Sequence, residues 1–246
     1  REALNNNENI DVIIWPEGSL PIDLNNRPGL LSRAGGLIND NQILILGSSA
    51  IEDNQLFNRL FVINSKGNVI QHYDKQKLVL FGEYVPFIKP LVSRFLNLGM
   101  NYSPGNNQLL LQLPKDVPAV PMICFESIFN YKSINENICQ TNLVIQISND
   151  SWFGKWYGPQ QHLANSLLRS VEFQKTLIRS TPSGISAVIN PNGVIEKSIP
   201  NDQKNYLVYE YPINESLGYC QSKLLYSLFF LILIFVGSFV YVRVKK

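Results

Sequence analysis

Short apolar runs, each closed by proline, glycine or a polar cluster, alternate along this chain with amphipathic stretches. Asp11 to Trp15 reads as a buried strand closed by Pro16, with Glu17 just past its end. Pro28 to Ile38 has the length and content of a short helix. Gln42 to Ile51 reads as a strand with Gly47-Ser48-Ser49 at its end. Leu60 to Ile63 and Val69 to Tyr73 flank Ser65-Lys66-Gly67-Asn68, a hairpin signature with glycine at the turn. Leu109 to Leu113 and Val120 to Cys124 read as strands, and Ser127 to Asn137 as a helix. Leu143 to Ile147 is a strand ending at Ser148-Asn149-Asp150. Two more strands, near Leu177 to Ser180 and Ile185 to Ile189, precede a turn at Pro191-Asn192-Gly193 and a returning strand.

Between Gly158 and Lys175 the period changes to helical. Leu163, Ala164, Leu167, Leu168 and Val171 gather on one face, and His162, Asn165, Arg169 and Glu172 on the other. The polar four read as a solvated face with an Arg169–Glu172 pair. Strands and helices that alternate, with hairpins interposed, predict an α/β domain whose mixed sheet is buried under helices. Phe87 to Gly105 is apolar yet broken by prolines and glycine, and reads either as a cover over a site or as a packed loop.

The end of the chain differs in kind. Leu224 to Val242 carries no charge. At about 1.5 Å per residue it is long enough for the hydrocarbon core of a bilayer. Lys223 precedes it, and Arg243, Lys245 and Lys246 follow. The excess of positive charge behind the segment places the C-terminus in the cytosol and the preceding domain on the other side of the membrane. The expected organisation is a domain over 1–216, then 217–246 with a transmembrane helix over about 224–242 and a basic tail. The chain starts at Arg1 with an Asn-rich stretch and no signal-peptide pattern, so it reads as a piece of a longer protein.

Composition narrows the chemistry. A formal net charge of +2 over 246 residues, with no basic block, gives no footprint for nucleic acid. Cys124, Cys139 and Cys220 form no metal spacing, and His72 and His162 are the sole histidines, so no zinc or iron centre is expected. Outside the cytosol Cys139 and Cys220 are free to pair as a disulfide.

One strand delivers a cysteine to its end, in Met122-Ile123-Cys124-Phe125-Glu126. Alone, Cys124 reads first as a small buried hydrophobe. As a nucleophile it needs a base and a positive charge for the thiolate and the oxyanion. A buried carboxylate can be that base, and a lysine can supply the charge. Glu17 in Trp15-Pro16-Glu17 and Lys75 in Tyr73-Asp74-Lys75 both follow strands. Taken singly each is weak, and a surface Glu after a proline or a solvated Lys among polar neighbours is the expected reading.

Taken together, the ordered segments resemble the nitrilase (carbon–nitrogen hydrolase) superfamily and, within it, the apolipoprotein N-acyltransferases. The segments are Trp-Pro-Glu at 15–17, Tyr-x-Lys at 73–75, Phe-Gly-Glu-Tyr-Val-Pro at 81–86 and Ile-Cys-Phe-Glu at 123–126. Ser-Asn-Asp-Ser-Trp-Phe-Gly at 148–154, Gly-Pro-x-Gln-His at 158–162, Arg-Ser-Thr at 179–181 and Gly-Ile-Ser-Ala-Val-Ile at 184–189 extend the likeness over nearly the whole chain. Leu80, Phe125 and Pro182 depart from the family pattern, which implies altered loop detail.

The resemblance implies an α-β-β-α sandwich and a Glu-Lys-Cys triad, with Glu17 as general base, Lys75 stabilising the tetrahedral intermediate and Cys124 as nucleophile. Glu83 and Glu126 match supporting glutamates, and the Phe125 N–H would line the oxyanion site. The implied partners are a phospholipid acyl donor, an S-diacylglyceryl-cysteine apolipoprotein acceptor and the bilayer, with no cofactor. The implied location is the bacterial inner membrane, with the domain on the periplasmic side. Two rival readings are an amidase of the same superfamily that uses water, and a membrane-tethered remnant that binds without turnover.

Overall fold

The computed structural model describes residues 10–84, 101–106, 110–129, 136–154, 156–213 and 234. Two sheets face each other. The first contains β1 (Val12–Ile14), β2 (Leu20–Asp23), β3 (Ile43–Glu52), β4 (Gln55–Ile63) and β5 (Val69–Asp74). Its order is β1-β3-β4-β5, with β2 also paired to β3. The second contains β6 (Leu111–Leu113), β7 (Val117–Ile123), β8 (Leu143–Ile147), β9 (Thr176–Ser180), β10 (Ser186–Ile189) and β11 (Ile195–Ile199). Its order is β11-β10-β9-β8-β7-β6, parallel across β7-β8-β9 and antiparallel at both edges.

The strands read as continuous apolar runs because both faces are buried. Ile43, Ile45, Leu60 and Val62 of the first sheet meet Ala119, Ile123, Leu143 and Ile145 of the second in the central core. The alternate residues Leu44, Leu46, Phe61 and Ile63 turn outward onto α1 (Pro28–Gly35), through its Leu31 and Ala34. On the opposite side Val120, Met122, Val144 and Leu177 pack on Leu163 and Phe173 of α2 (Tyr157–Phe173). The result is the expected α-β-β-α sandwich. Each fully buried Leu or Ile in these three clusters contributes on the order of 2 kcal/mol through water removal.

The described structure corrects three expectations. Strand β7 begins at Val117 and runs through Pro118 and Pro121, three residues earlier than the prolines suggest. Each proline removes only one donor, while the ladder to β8 continues over five registered pairs. Cys124 is not the last strand residue. It opens a 3₁₀ turn over Cys124–Ile128, and a second such turn covers Glu136–Gln140. Among the described residues of 127–137 there is no α-helix; residues 130–135 lie outside them.

The third correction concerns α2. The Arg169–Glu172 pair forms, at 2.7 Å. His162, placed with it on the solvated face, is instead buried, while Leu168 and Val171 are exposed. The helix turns His162, Ser166 and Ser170 inward, so buried polar partners, not the apolar stripe, set its rotation. The segment 224–242 lies outside the described residues except for Ile234. Among the described residues no helix is long and apolar enough to cross a membrane. Of the apolar segment Phe87 to Gly105, residues 87–100 also lie outside.

Candidate active site

Glu17, Lys75 and Cys124 all follow C-terminal ends of strands, and the two facing sheets bring them together. Trp15 N–H donates to Ile45 O and Gly47 N–H to Pro16 O, which lays Pro16-Glu17 across β3. A Cβ at Gly47 would stand 2.6 Å from the Glu17 Cα, so a bare glycine is what lets this loop approach. Lys75 follows β5, its N–H donating to Asn58 O of β4.

The Lys75 side chain is only 1% exposed. Its Nζ donates to Glu83 Oε1 at 2.9 Å and lies 3.6 Å from Glu17 Oε1. Asn58 Nδ2 donates to Glu17 Oε1 at 2.7 Å and to Glu83 Oε1 at 2.8 Å, bridging the two carboxylates. Glu83 is fixed in turn by the Val79 N–H on its second oxygen. Burial works against the Lys75 charge, but Glu17, Cys124 and Glu83 together hold its pKa above the ordinary lysine value.

Cys124 is a free thiol with a backbone φ of +51°, in the left-handed region that non-glycine residues rarely occupy. Burial first, and then the charge of Glu17, pushes its pKa up to about 12. Lys75, the Ser148 hydroxyl and the Asn149 N–H pull the other way. The resting sulfur is therefore a thiol, and it faces both a carboxylate able to take its proton and an ammonium able to receive negative charge.

Glu126 ties the nucleophile turn to the lysine loop. Its Oε1 accepts from Tyr73 OH at 2.9 Å, Gln76 N–H at 2.8 Å and Lys77 N–H at 3.2 Å. Its Oε2 accepts from Ile123 N–H at 2.7 Å. Burial raises the Glu126 pKa, and the Ile123 and Gln76 N–H groups, the Lys75 charge and the Tyr73 hydroxyl oppose that shift. Phe125 packs edge-on against Phe129, with centroids 5.6 Å apart.

The structure thus brings Glu17, Lys75, Cys124, Glu83 and Glu126 to one place. It adds Asn58, Gln146 and Ser166, and it gives a place to Ser148, Asp150, His162 and Arg179, which the matching segments contain without a role in the site. The signal for several of them was present, since Gln146 and Arg179 interrupt otherwise apolar central strands, where a polar residue is rarely left unpaired. Cys139 is disulfide-bonded and Cys124 is not; Cys220 lies outside the described residues. No cluster of metal-ligating residues occurs among the described residues.

A two-sheet sandwich with helices outside and these strand-end residues at one edge is the architecture of a carbon–nitrogen hydrolase, and the chain belongs to that family. The family model for carbon–nitrogen hydrolase matches residues 1–216. Among individual relatives, an apolipoprotein N-acyltransferase of Rhizobium leguminosarum bv. trifolii is 35% identical over 208 residues, covering 80% of this chain and 39% of that protein. One of Rhizobium meliloti is 35% identical over 196 residues, covering 75% of this chain and 37% of its own. The chain therefore spans about two fifths of the length of the curated relatives it matches.

Solved structures agree on the fold. An amidase of Nesterenkonia sp. AN1, which carries an acetamide moiety on its active-site cysteine, superposes with a TM-score of 0.56 at 18% identity, covering 78% of this chain and 73% of that one. A carbon–nitrogen hydrolase superfamily protein of Xanthomonas campestris gives a TM-score of 0.55 at 17% identity, covering 79% and 75%.

Proposed function

We propose that this chain is the catalytic part of an apolipoprotein N-acyltransferase, moving a fatty acyl group from a membrane phospholipid to the α-amine of an S-diacylglyceryl-cysteine. The observation that carries the reading is the convergence of Glu17, Lys75 and Cys124 in a chain 35% identical to proteins of that name.

The chemistry runs in two halves. Glu17 takes the Cys124 thiol proton, and the thiolate attacks the ester carbonyl of the donor. The oxyanion develops toward Lys75 Nζ and the Phe125 N–H, where preorganised positive charge is most effective. The ester C–O bond then breaks, the leaving alkoxide takes the proton from Glu17, and a lysophospholipid departs. In the second half the acceptor amine gives a proton to Glu17 and attacks the thioester. The C–S bond breaks, Cys124 recovers its proton, and an amide remains.

Glu83 and Asn58 support this by holding Lys75 and Glu17 in register. The lipid reading draws on two further features. Trp152, Trp156 and Tyr157, which follow the Ser148-Asn149-Asp150 loop, are exposed by 83%, 82% and 78%. Such aromatic groups suit a membrane–water boundary. The apolar stretch 224–242 would anchor the domain there, with the site outside the cytosol.

The test is transfer from phosphatidylethanolamine vesicles to a synthetic S-diacylglyceryl-cysteine peptide, with free fatty acid measured in parallel. Amide formation that exceeds hydrolysis supports the acyltransferase. Release of fatty acid alone contradicts it and favours an amidase-type use of water.

A further inference from the structure

The carbonyl of the nucleophile, not only its sulfur, sits in a built environment. Cys124 O accepts from His162 Nε2 at 3.1 Å and from Gln146 Nε2 at 3.2 Å. The two donors are joined behind it by a closed ring of buried groups. His162 Nδ1 meets Asp150 Oδ1 at 2.8 Å. Asp150 Oδ2 accepts from Arg179 Nη2 at 2.6 Å. Arg179 Nη1 donates to Ser166 Oγ at 3.2 Å, and Ser166 Oγ donates to Gln146 Oε1 at 2.7 Å. All five side chains are 3% exposed or less.

Secondary structure sets the ring. His162 and Ser166 are one helical turn apart on α2. Gln146 and Arg179 are register partners on parallel β8 and β9. Asp150 is the hub, because Ser148 Oγ also donates to it at 2.9 Å while reaching the Cys124 sulfur. The Asp150 carboxylate lies so close to Gly184 that a Cβ there would collide with it.

A ring of this completeness could serve stability alone. Its position argues for more. A left-handed non-glycine residue is strained and persists only where its surroundings over-determine it, and here two donors converge on the carbonyl of that residue. A carbonyl only accepts, so the His162 proton facing Cys124 is on Nε2. We propose that His162 is a positioning residue: through its Nε2–H it holds the left-handed backbone of Cys124 and so aims the thiol. The proposal rests on the reading of Cys124 as nucleophile.

Two substitutions separate aim from stability. His162→Gln keeps a donor at the reach of Nε2 and loses the Asp150 contact. His162→Asn keeps a donor at the reach of Nδ1 and loses the Cys124 carbonyl. The readout is the single-turnover burst of p-nitrophenol from p-nitrophenyl palmitate by the detergent-solubilised full chain, with KM and thermal midpoint measured alongside. Misplacement of a reacting group by about 1 Å costs on the order of 100-fold, so His162→Asn should lose roughly that much in burst rate with KM within about twofold. His162→Gln should stay within about fivefold of wild type by the same argument.

Equal loss in both variants, greater loss in His162→Gln, or no loss in either overturns the proposal. If His162→Asn does not fold, Gln146→Met removes the other donor to the same carbonyl and must lower the burst with KM unchanged; an unchanged burst overturns the proposal. Absence of any Cys124-dependent burst in wild type is a failure of the nucleophile reading instead. In that case iodoacetamide alkylation of Cys124 judges the ring. It supports the proposal if the His162→Asn rate moves by about fivefold or more and the His162→Gln rate does not, and overturns it otherwise.

Discussion

Glu17 and Lys75 stand 3.6 Å apart, and neither side chain reaches bulk water to any useful degree. A base and a cation held this close would quench each other if they were alone. Here Lys75 gives its shorter contact to Glu83 at 2.9 Å, and Asn58 donates to both carboxylates. The arrangement keeps Glu17 oriented while the lysine charge is shared.

The first prediction concerns Glu17→Gln. Loss of a general base typically costs a factor of about 10² to 10⁴, so acyl transfer should fall by that range. Thiol reactivity should move the opposite way. The Glu17 charge helps push the Cys124 pKa up to about 12, so removing it lowers that pKa and increases the thiolate fraction at any pH below it. Iodoacetamide alkylation followed against pH should show the profile displaced to lower pH. An unmoved or raised profile would mean that Glu17 does not act on the sulfur.

Gly47→Ala tests the loop that carries Glu17. The new Cβ would fall 2.6 Å from the Glu17 Cα and 3.0 Å from Pro16 O, so backbone must shift. A displacement of about 1 Å should lower kcat on the order of 100-fold. Cys124 alkylation by iodoacetamide in the same variant should still go to completion, since the nucleophile turn is untouched.

Glu126→Gln replaces one acceptor by a donor that faces the Ile123 N–H. A buried donor left without an acceptor costs about 1–3 kcal/mol, and chemical denaturation should read that loss. Because Ile123 immediately precedes Cys124, transfer should fall with stability in this variant.

Asp150 predicts an acid-sensitive element. Burial pushes its pKa up, but His162 and Arg179 outweigh burial and hold it below the ordinary 3.8. A carboxylate with a depressed folded pKa stabilises the fold above its unfolded pKa and loses that contribution as pH falls through the folded value. Wild-type stability should therefore drop below about pH 4, and an Asp150→Asn variant, weaker at neutral pH, should drop less steeply there. Removing the cation by Arg179→Met leaves the buried Asp150 carboxylate without its guanidinium partner and should cost about 3–5 kcal/mol at neutral pH.

The fold was legible in the sequence wherever apolar runs were bounded by turn residues. Val12–Ile14, Leu143–Ile147 and Thr176–Ser180 appear close to where the pattern puts them. The start of β4 was not legible, because the β3–β4 turn uses Asp53 and Asn54 at φ of +49° and +61° without a glycine to announce it. Prolines misled at β7, where the ladder tolerates two missing donors. In the site, Glu17, Lys75 and Cys124 stand just past strands, but their roles, and those of Glu83 and Glu126, are legible only through the resemblance of the ordered segments to the family. Amphipathic periodicity puts His162 on the wrong face of its helix because it registers apolar burial and not the pull of a buried carboxylate. Asn58 was missed for a related reason: its partners, Glu17 and Glu83, are 41 and 25 residues away in sequence.

In the proposed mechanism Cys124 carries the acyl group. Intact-protein mass spectrometry of the detergent-solubilised chain, incubated with phosphatidylethanolamine and no acceptor, tests it most directly. One acyl adduct, released by hydroxylamine, should map to Cys124 and be absent in Cys124→Ala. A folded protein that forms no adduct, or forms one that survives in Cys124→Ala, contradicts it.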